Sequence, residues 1–380
     1  MNPQNTYSRQ RLGSYALVDR GWDALPEWTP RTLPVTAVSA DAPVPDATPP
    51  LWDGRVPHTW NEWKSLGRRV FYEYPLRAEP LADYAVRDPA LAARVGVHAD
   101  ARGVFPGVRR FRDVDGATRT GITCALCHTA VEGGAVVEGR ARRDFDYGAL
   151  RIAFQRAHGG DDGALTARMA AWGPGRADVT EDDDRDPVAI PDLWGLRAQR
   201  ALTQAGTIRH ESPAALAIRS ETQLLHANHE RVRPPRALAF ALTVFLYTLT
   251  PPRRAEAVDD ATLQRGRAVF ERECADCHSN PAYGGAPVRA SRVGTDPALA
   301  NGHARGTGRY RPPPLLDVAR AAPYLHDGTV PSLDALLSTE RLSPTYAGGA
   351  RGPGAVLGHT FGTALSRRDR DALLRVLHSL

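Results

Sequence analysis

Cysteine occurs four times in the 380 residues, and all four stand in two short strings, Cys124-Ala-Leu-Cys127-His128 and Cys274-Ala-Asp-Cys277-His278. A C-x-x-C pair followed at once by histidine is the attachment pattern of a c-type haem. Two thiols three positions apart reach one edge of a porphyrin, and the adjacent imidazole becomes the proximal ligand of the iron. The competing use of four cysteines is a zinc or iron–sulfur site. The histidine that follows each pair, and the repeated unit in which each pair sits, favour two covalently bound haems. No cysteine is left for a disulfide, so the compartment is not legible from cross-links.

Internal repetition comes next. Leu66-Gly67-Arg68-Arg69-Val70-Phe71 precedes the first string, and Arg265-Gly266-Arg267-Ala268-Val269-Phe270 precedes the second. After the strings, Pro191-Asp-Leu-Trp-Gly-Leu and Gly206-Thr-Ile recur as Pro313-Pro-Leu-Leu-Asp-Val and Gly328-Thr-Val, at a constant offset of 122 residues. Each half then closes on an apolar pattern with helical spacing: Leu238, Leu242, Phe245, Leu246 and Leu249, then Leu373, Leu374, Leu377 and Leu380. Such spacing puts one face of a helix into a core. Ser366 with Asp369 predicts the start of the second closing helix. The expected fold is mainly α: two cytochrome c-like helical domains in tandem, with long loops and an irregular N-terminal arm. The predicted bounds are 1–57 for the Pro-rich arm, 58–252 for domain 1 and 253–380 for domain 2.

The halves are unequal. Between Phe71 and Cys124 lie 52 residues, against three between Phe270 and Cys274, so domain 1 carries an insertion. It also carries the acidic run Glu181-Asp182-Asp183-Asp184 with Asp186. That run reads as a solvated loop, with calcium as the cofactor it would otherwise suit. A net charge of +5 without Lys/Arg runs excludes a nucleic-acid partner. The longest apolar run, residues 237–249, is too short to cross a membrane. Residues 1–23 show no signal-peptide core. Haem attachment nevertheless points to a periplasmic or other extracytoplasmic location.

The group on the far side of each iron separates electron transfer from chemistry on peroxide or dioxygen. Met1 and Met169 are the two methionines, so domain 2 has none to offer. Its candidates are His303, His326, His359 and His378, of which His378 reads as a surface residue and His303 sits in a Gly-rich loop. Domain 1 offers His158, His210, His226 and His229. Gln204 stands where His326 stands in the repeat, so the first haem is expected to lack a protein ligand there. Gln204 then becomes a candidate for contacting a bound ligand or water.

Residues 311–337, Arg-Pro-Pro-Pro-Leu-Leu-Asp-Val-Ala-Arg-Ala-Ala-Pro-Tyr-Leu-His-Asp-Gly-Thr-Val-Pro-Ser-Leu-Asp-Ala-Leu-Leu, resemble the di-haem cytochrome c peroxidase superfamily. Val293-Gly-Thr-Asp-Pro297 and Gly358-His-Thr-Phe-Gly-Thr-Ala-Leu-Ser366 are similar to its rubber-oxygenase-like branch, which includes many unassigned di-haem cytochromes. So are Gly121-Ile-Thr-Cys-Ala-Leu-Cys-His128, Arg143-Asp-Phe-Asp-Tyr-Gly-Ala149 and Trp172-Gly-Pro-Gly-Arg176. The resemblance spans residues 60–380. It implies that His359 is the distal ligand of the second haem, with His326 a pocket residue near a propionate or between the domains. It also implies a Trp between the haems, for which Trp172 and Trp194 are the candidates against ordinary core packing. Tyr310 and Tyr324 read as packing residues. The chain departs from the classical peroxidase pattern in two ways. It offers no methionine to the high-potential haem, and residues 129–154 contain no histidine.

Two functions follow. One is a peroxidase-type di-haem oxidoreductase, with electrons entering at haem 2 and passing to haem 1, where peroxide or dioxygen is reduced. The other is electron transfer without catalysis. The expected partner is a small redox protein or a quinol-linked donor, and a homodimer is the candidate assembly.

Overall fold

The structure is a computed structural model that describes residues 22–160, 163–178, 187–227, 231–252, 259–302 and 306–380. Helices outweigh strands, as expected of a mainly α chain, and two helix pairs dominate the packing. Helix α1 (Trp60–Glu73) opens on a capping box. Thr59 Oγ1 accepts from the Glu62 amide at 3.2 Å, and Glu62 Oε2 accepts from the Thr59 amide at 3.1 Å. Between this helix and its partner α3 comes the short helix α2 (Cys124–His128), which is the first string itself. Helix α3 (Arg236–Thr248) buries Leu238, Leu242, Phe245 and Leu246 against α1. Helices α4 (Asp260–Glu273) and α5 (Arg367–Ser379) form the second pair, with Phe270, Leu373 and Leu377 in a separate core. Ser366 Oγ accepts from the Asp369 amide at 3.2 Å, the expected start of α5.

Each pair crosses at a glycine. A Cβ on Gly67 would stand 1.9 Å from the Ala241 carbonyl oxygen of α3, and one on Gly266 would stand 2.2 Å from that of Ala372 on α5. The repeated block has the same backbone twice. Leu202 pairs with Ile208, and Tyr324 with Val330. The 3-10 turns Leu196–Ala198 and Val318–Arg320 follow left-handed residues, Gly195 (φ 72°) and Asp317 (φ 55°). Thr203 and Leu325 both have φ 70°.

The insertion supplies what the helical expectation lacked. Strands β1 (Arg31–Thr36), β2 (Arg77–Ala78), β3 (Val104–Arg112) and β4 (Thr118–Ile122) form an antiparallel sheet in the order β1-β3-β4-β2. The N-terminal arm is therefore not irregular throughout, since residues 31–36 are an edge strand. Pro34 is tolerated there because edge strands accept a missing amide. The sheet carries the first string. Gly107 of β3 (φ 87°) lies so close to α2 that a Cβ would be 2.0 Å from the Leu126 nitrogen, and its carbonyl accepts from the Thr123 amide at 2.9 Å.

Candidate haem-binding site

The two strings are held differently but present their histidines alike. Thr123 caps α2, its hydroxyl accepting from the Ala125 amide at 3.3 Å. The second string is a turn that follows α4 rather than a helix start, with the His278 amide donating to the Cys274 carbonyl at 2.9 Å. In the first unit, a hairpin of β5 (Thr129–Glu132) and β6 (Ala135–Glu138) leads to Gly139. The Gly139 carbonyl accepts from the Leu193 amide at 2.7 Å, which brings the repeated block beneath the string. His128 Nδ1 then meets the Pro191 carbonyl at 3.0 Å. In the second unit the Leu315 amide donates to the Ala282 carbonyl at 3.1 Å, and His278 Nδ1 meets the Tyr283 carbonyl at 2.6 Å. A carbonyl on Nδ1 fixes the tautomer and leaves Nε2 to bind a metal.

None of the four cysteines is in a disulfide. Among the described residues no three His, Cys, Asp or Glu side chains converge on one point. A four-cysteine zinc or iron–sulfur site is not formed.

Cys274, Cys277 and His278 open into a cavity of about 460 Å³ with apolar walls from Phe270, Leu333, Leu337 and Leu373. His359 lines the same cavity. Burial, and then the proximity of His278, lower its pKa to about 4, so it presents a neutral imidazole. Its Nδ1 is buried without a hydrogen-bond partner. Two imidazoles, His278 and the neutral His359, on one largely apolar cavity fit a haem. The His359 backbone is left-handed (φ 43°) and is held from behind by Arg341. That fully buried guanidinium donates to the carbonyls of Leu336 (3.1 Å), Val356 (2.6 Å) and His359 itself (2.8 Å). Nothing in the sequence singles out Arg341, because its role depends on three carbonyls that the chain brings together only on folding.

His326 and Gln204 also line this cavity. His326 stacks on Tyr310 at 4.3 Å, and its carbonyl accepts from the Ala189 amide at 2.9 Å. Gln204 Nε2 donates to the Ala189 carbonyl at 3.2 Å. Gln204 therefore lines the cavity of the second string. Trp194 lines the cavity as well, and it belongs to the core that packs Cys124. Its indole donates to the Glu138 carbonyl at 3.0 Å. Trp172 is buried, stacks on Tyr147 at 6.0 Å and does not line the cavity. Tyr310 and Tyr324 are buried, donate to the carbonyls of Asp296 and Val318, and also line the cavity.

Of the other histidines, His378 is exposed on α5. His210 is engaged at both nitrogens, with the Gln199 carbonyl at 2.7 Å and the Tyr247 hydroxyl at 2.5 Å. The exposed His158 lies against Phe154, its Nδ1 2.8 Å from the Phe154 carbonyl. His229, His303, Met1 and the acidic run proposed for calcium lie outside the described residues, as does the His226 side chain.

Residues 308–346 match the family model described as RoxA-like, cytochrome c-like. The match supports the di-haem peroxidase-like superfamily expected from residues 311–337, and with it covalently bound haem c. The matched segment holds Arg311, His326 and Arg341, and neither C-x-x-C-H string lies within it. No curated protein matches the chain. Among solved structures, a MauG-like protein associated with microbial copper homeostasis is similar at 16% identity over 94% of each chain, with a TM-score of 0.32. No helix among the described residues is long and apolar enough to cross a membrane.

Proposed function

We propose that this chain is a di-haem c-type cytochrome of peroxidase type, built as two cytochrome units, 58–252 and 253–380. Cys124 and Cys127 would hold one haem with His128 as proximal ligand, and Cys274 and Cys277 the other with His278. When bound, each haem supplies a one-electron couple, and an iron with a free sixth position also supplies a place to bind peroxide or dioxygen. His359 would fill the sixth position at the second haem. The observation that carries this reading is the placing of His278 and His359 on one apolar cavity that also holds both cysteines of that string.

Around the first string, His210 is engaged at both nitrogens and His98 is paired with Asp144 at 2.8 Å, while the His226 side chain and His229 lie outside the described residues. We read haem 2, with His359 beside it, as the electron-entry centre and haem 1 as the place of oxidant reduction. Trp194, shared by the core around Cys124 and the cavity of the second string, lies on the route between them. A soluble redox protein or quinol-linked donor outside the cytoplasm would supply the electrons.

The oxidised protein is expected to show one low-spin and one high-spin haem, the high-spin part shifting on addition of cyanide or hydrogen peroxide. Two low-spin haems inert to both would leave electron transfer alone as the function.

A further inference from the structure

Among the described residues, a buried arginine without a carboxylate partner lies beside each string. Arg142 is 1% exposed. Its amide donates to the Cys127 carbonyl at 2.9 Å and its Nε to the Thr129 carbonyl at 3.1 Å. Both terminal nitrogens, Nη1 and Nη2, are buried with no hydrogen-bond partner. The carboxylate that acts on it from a distance, Asp144, is engaged by His98.

Arg311, 8% exposed, lines the cavity of the second string. The other arginines of that cavity each meet a carboxylate: Arg143 with Asp192, Arg272 with Glu273 and Arg292 with Asp276. Arg311 meets only neutral oxygens, the Thr203 carbonyl and Gln199 Oε1, both at 3.0 Å. Both of these belong to the first unit. A guanidinium buried without an anion is a large cost to a fold. Two such groups, each beside a haem string, call for carboxylates that the described residues do not provide.

We infer that Arg142 and Arg311 are the receptors for haem propionate carboxylates, Arg142 at the first haem and Arg311 at the second. The inference rests on the di-haem reading and adds to it. Arg311, held by Thr203 and Gln199, ties the second haem to the first unit.

The test uses mature protein carrying Arg142→Met or Arg311→Met. Removing a guanidinium that holds a carboxylate strands the carboxylate, so Tm falls. Removing one that has no anion relieves an uncompensated charge, so Tm rises. Each variant should also shift the reduction equilibrium of its own haem about tenfold toward the oxidised form, a midpoint about 59 mV lower. The other haem should be unmoved.

Resonance Raman of the wild type provides a second readout if the methionine variants do not mature. The propionate bending modes should lie at hydrogen-bonded frequencies and move in Arg142→Lys and Arg311→Lys, which keep the charge and lose the planar fork. A raised Tm, or propionate modes that do not move, overturns the inference; unmoved modes would assign the guanidinium to a free organic acid or to nothing. Intact mass separates this from failure of the di-haem reading. Two haems on a chain indifferent to both arginines sink the inference alone, whereas no haem on the strings sinks both.

Discussion

His359→Ala is expected to convert the second haem from low spin to high spin completely, leaving the first haem unchanged. The reason lies in the cavity. His359 and His278 face one apolar space, and burial keeps His359 neutral with Nδ1 unpartnered. Among the described residues, truncation to alanine leaves only His278 and His326 as imidazoles on those walls. His326 is engaged in stacking on Tyr310, so His326→Ala should leave the spin state alone. Exogenous imidazole should enter the space left in His359→Ala and restore the low-spin spectrum. An unaltered spectrum in His359→Ala would remove the residue from the iron, and a high-spin spectrum in His326→Ala would put His326 there instead.

The second large effect is structural. Gly67→Val forces a branched side chain into the crossing of α1 and α3, where even a Cβ would be 1.9 Å from a backbone oxygen and 2.8 Å from the Phe245 Cβ. Backbone cannot yield as a side-chain tip can, so the helices must part. Phe71 would then lose its packing on Phe245, now 5.3 Å between ring centroids. Overpacking of a core costs 1–3 kcal/mol, occasionally more, and roughly 3 kcal/mol is expected here. For a unit of this size that is a fall in Tm of about 6–12 °C. Gly163→Ala is the control, because a Cβ there meets nothing within 4 Å and its φ is ordinary. Equal thermal stability of Gly67→Val and wild type would show that the crossing is looser than described.

The strings, the helix pairs and the repeat were legible because each rests on local spacing. Gly67 and Gly266 fall at matching places before Phe71 and Phe270, and both sit at a helix crossing. The sheet was hidden. Strand β3 carries Pro106 and Gly107 in mid-strand and arginines at 109, 110 and 112, so neither alternation nor an apolar run marks it. Strand β1 lies inside a Pro-rich arm whose pairing depends on a partner more than 60 residues away.

The site was half legible. Sequence spacing picked out His128 and His278 as candidate proximal histidines, and the family resemblance named His359, which lines one cavity with His278. The repeat did not show that Gln204 lines the cavity of the second string, because equivalence within a repeat says where a residue lies on its own backbone and not which cavity its loop meets. Arg142, Arg311 and Arg341 gave no signal, since among many arginines only burial and the absence of a carboxylate set them apart.

Intact mass spectrometry of the mature protein, read together with its pyridine haemochrome spectrum, tests the di-haem reading most directly. Two covalent haems per chain are required, falling to one in Cys124→Ala/Cys127→Ala and to one in Cys274→Ala/Cys277→Ala. A mature wild-type chain with one haem, or a mass that either double variant leaves unchanged, would contradict it.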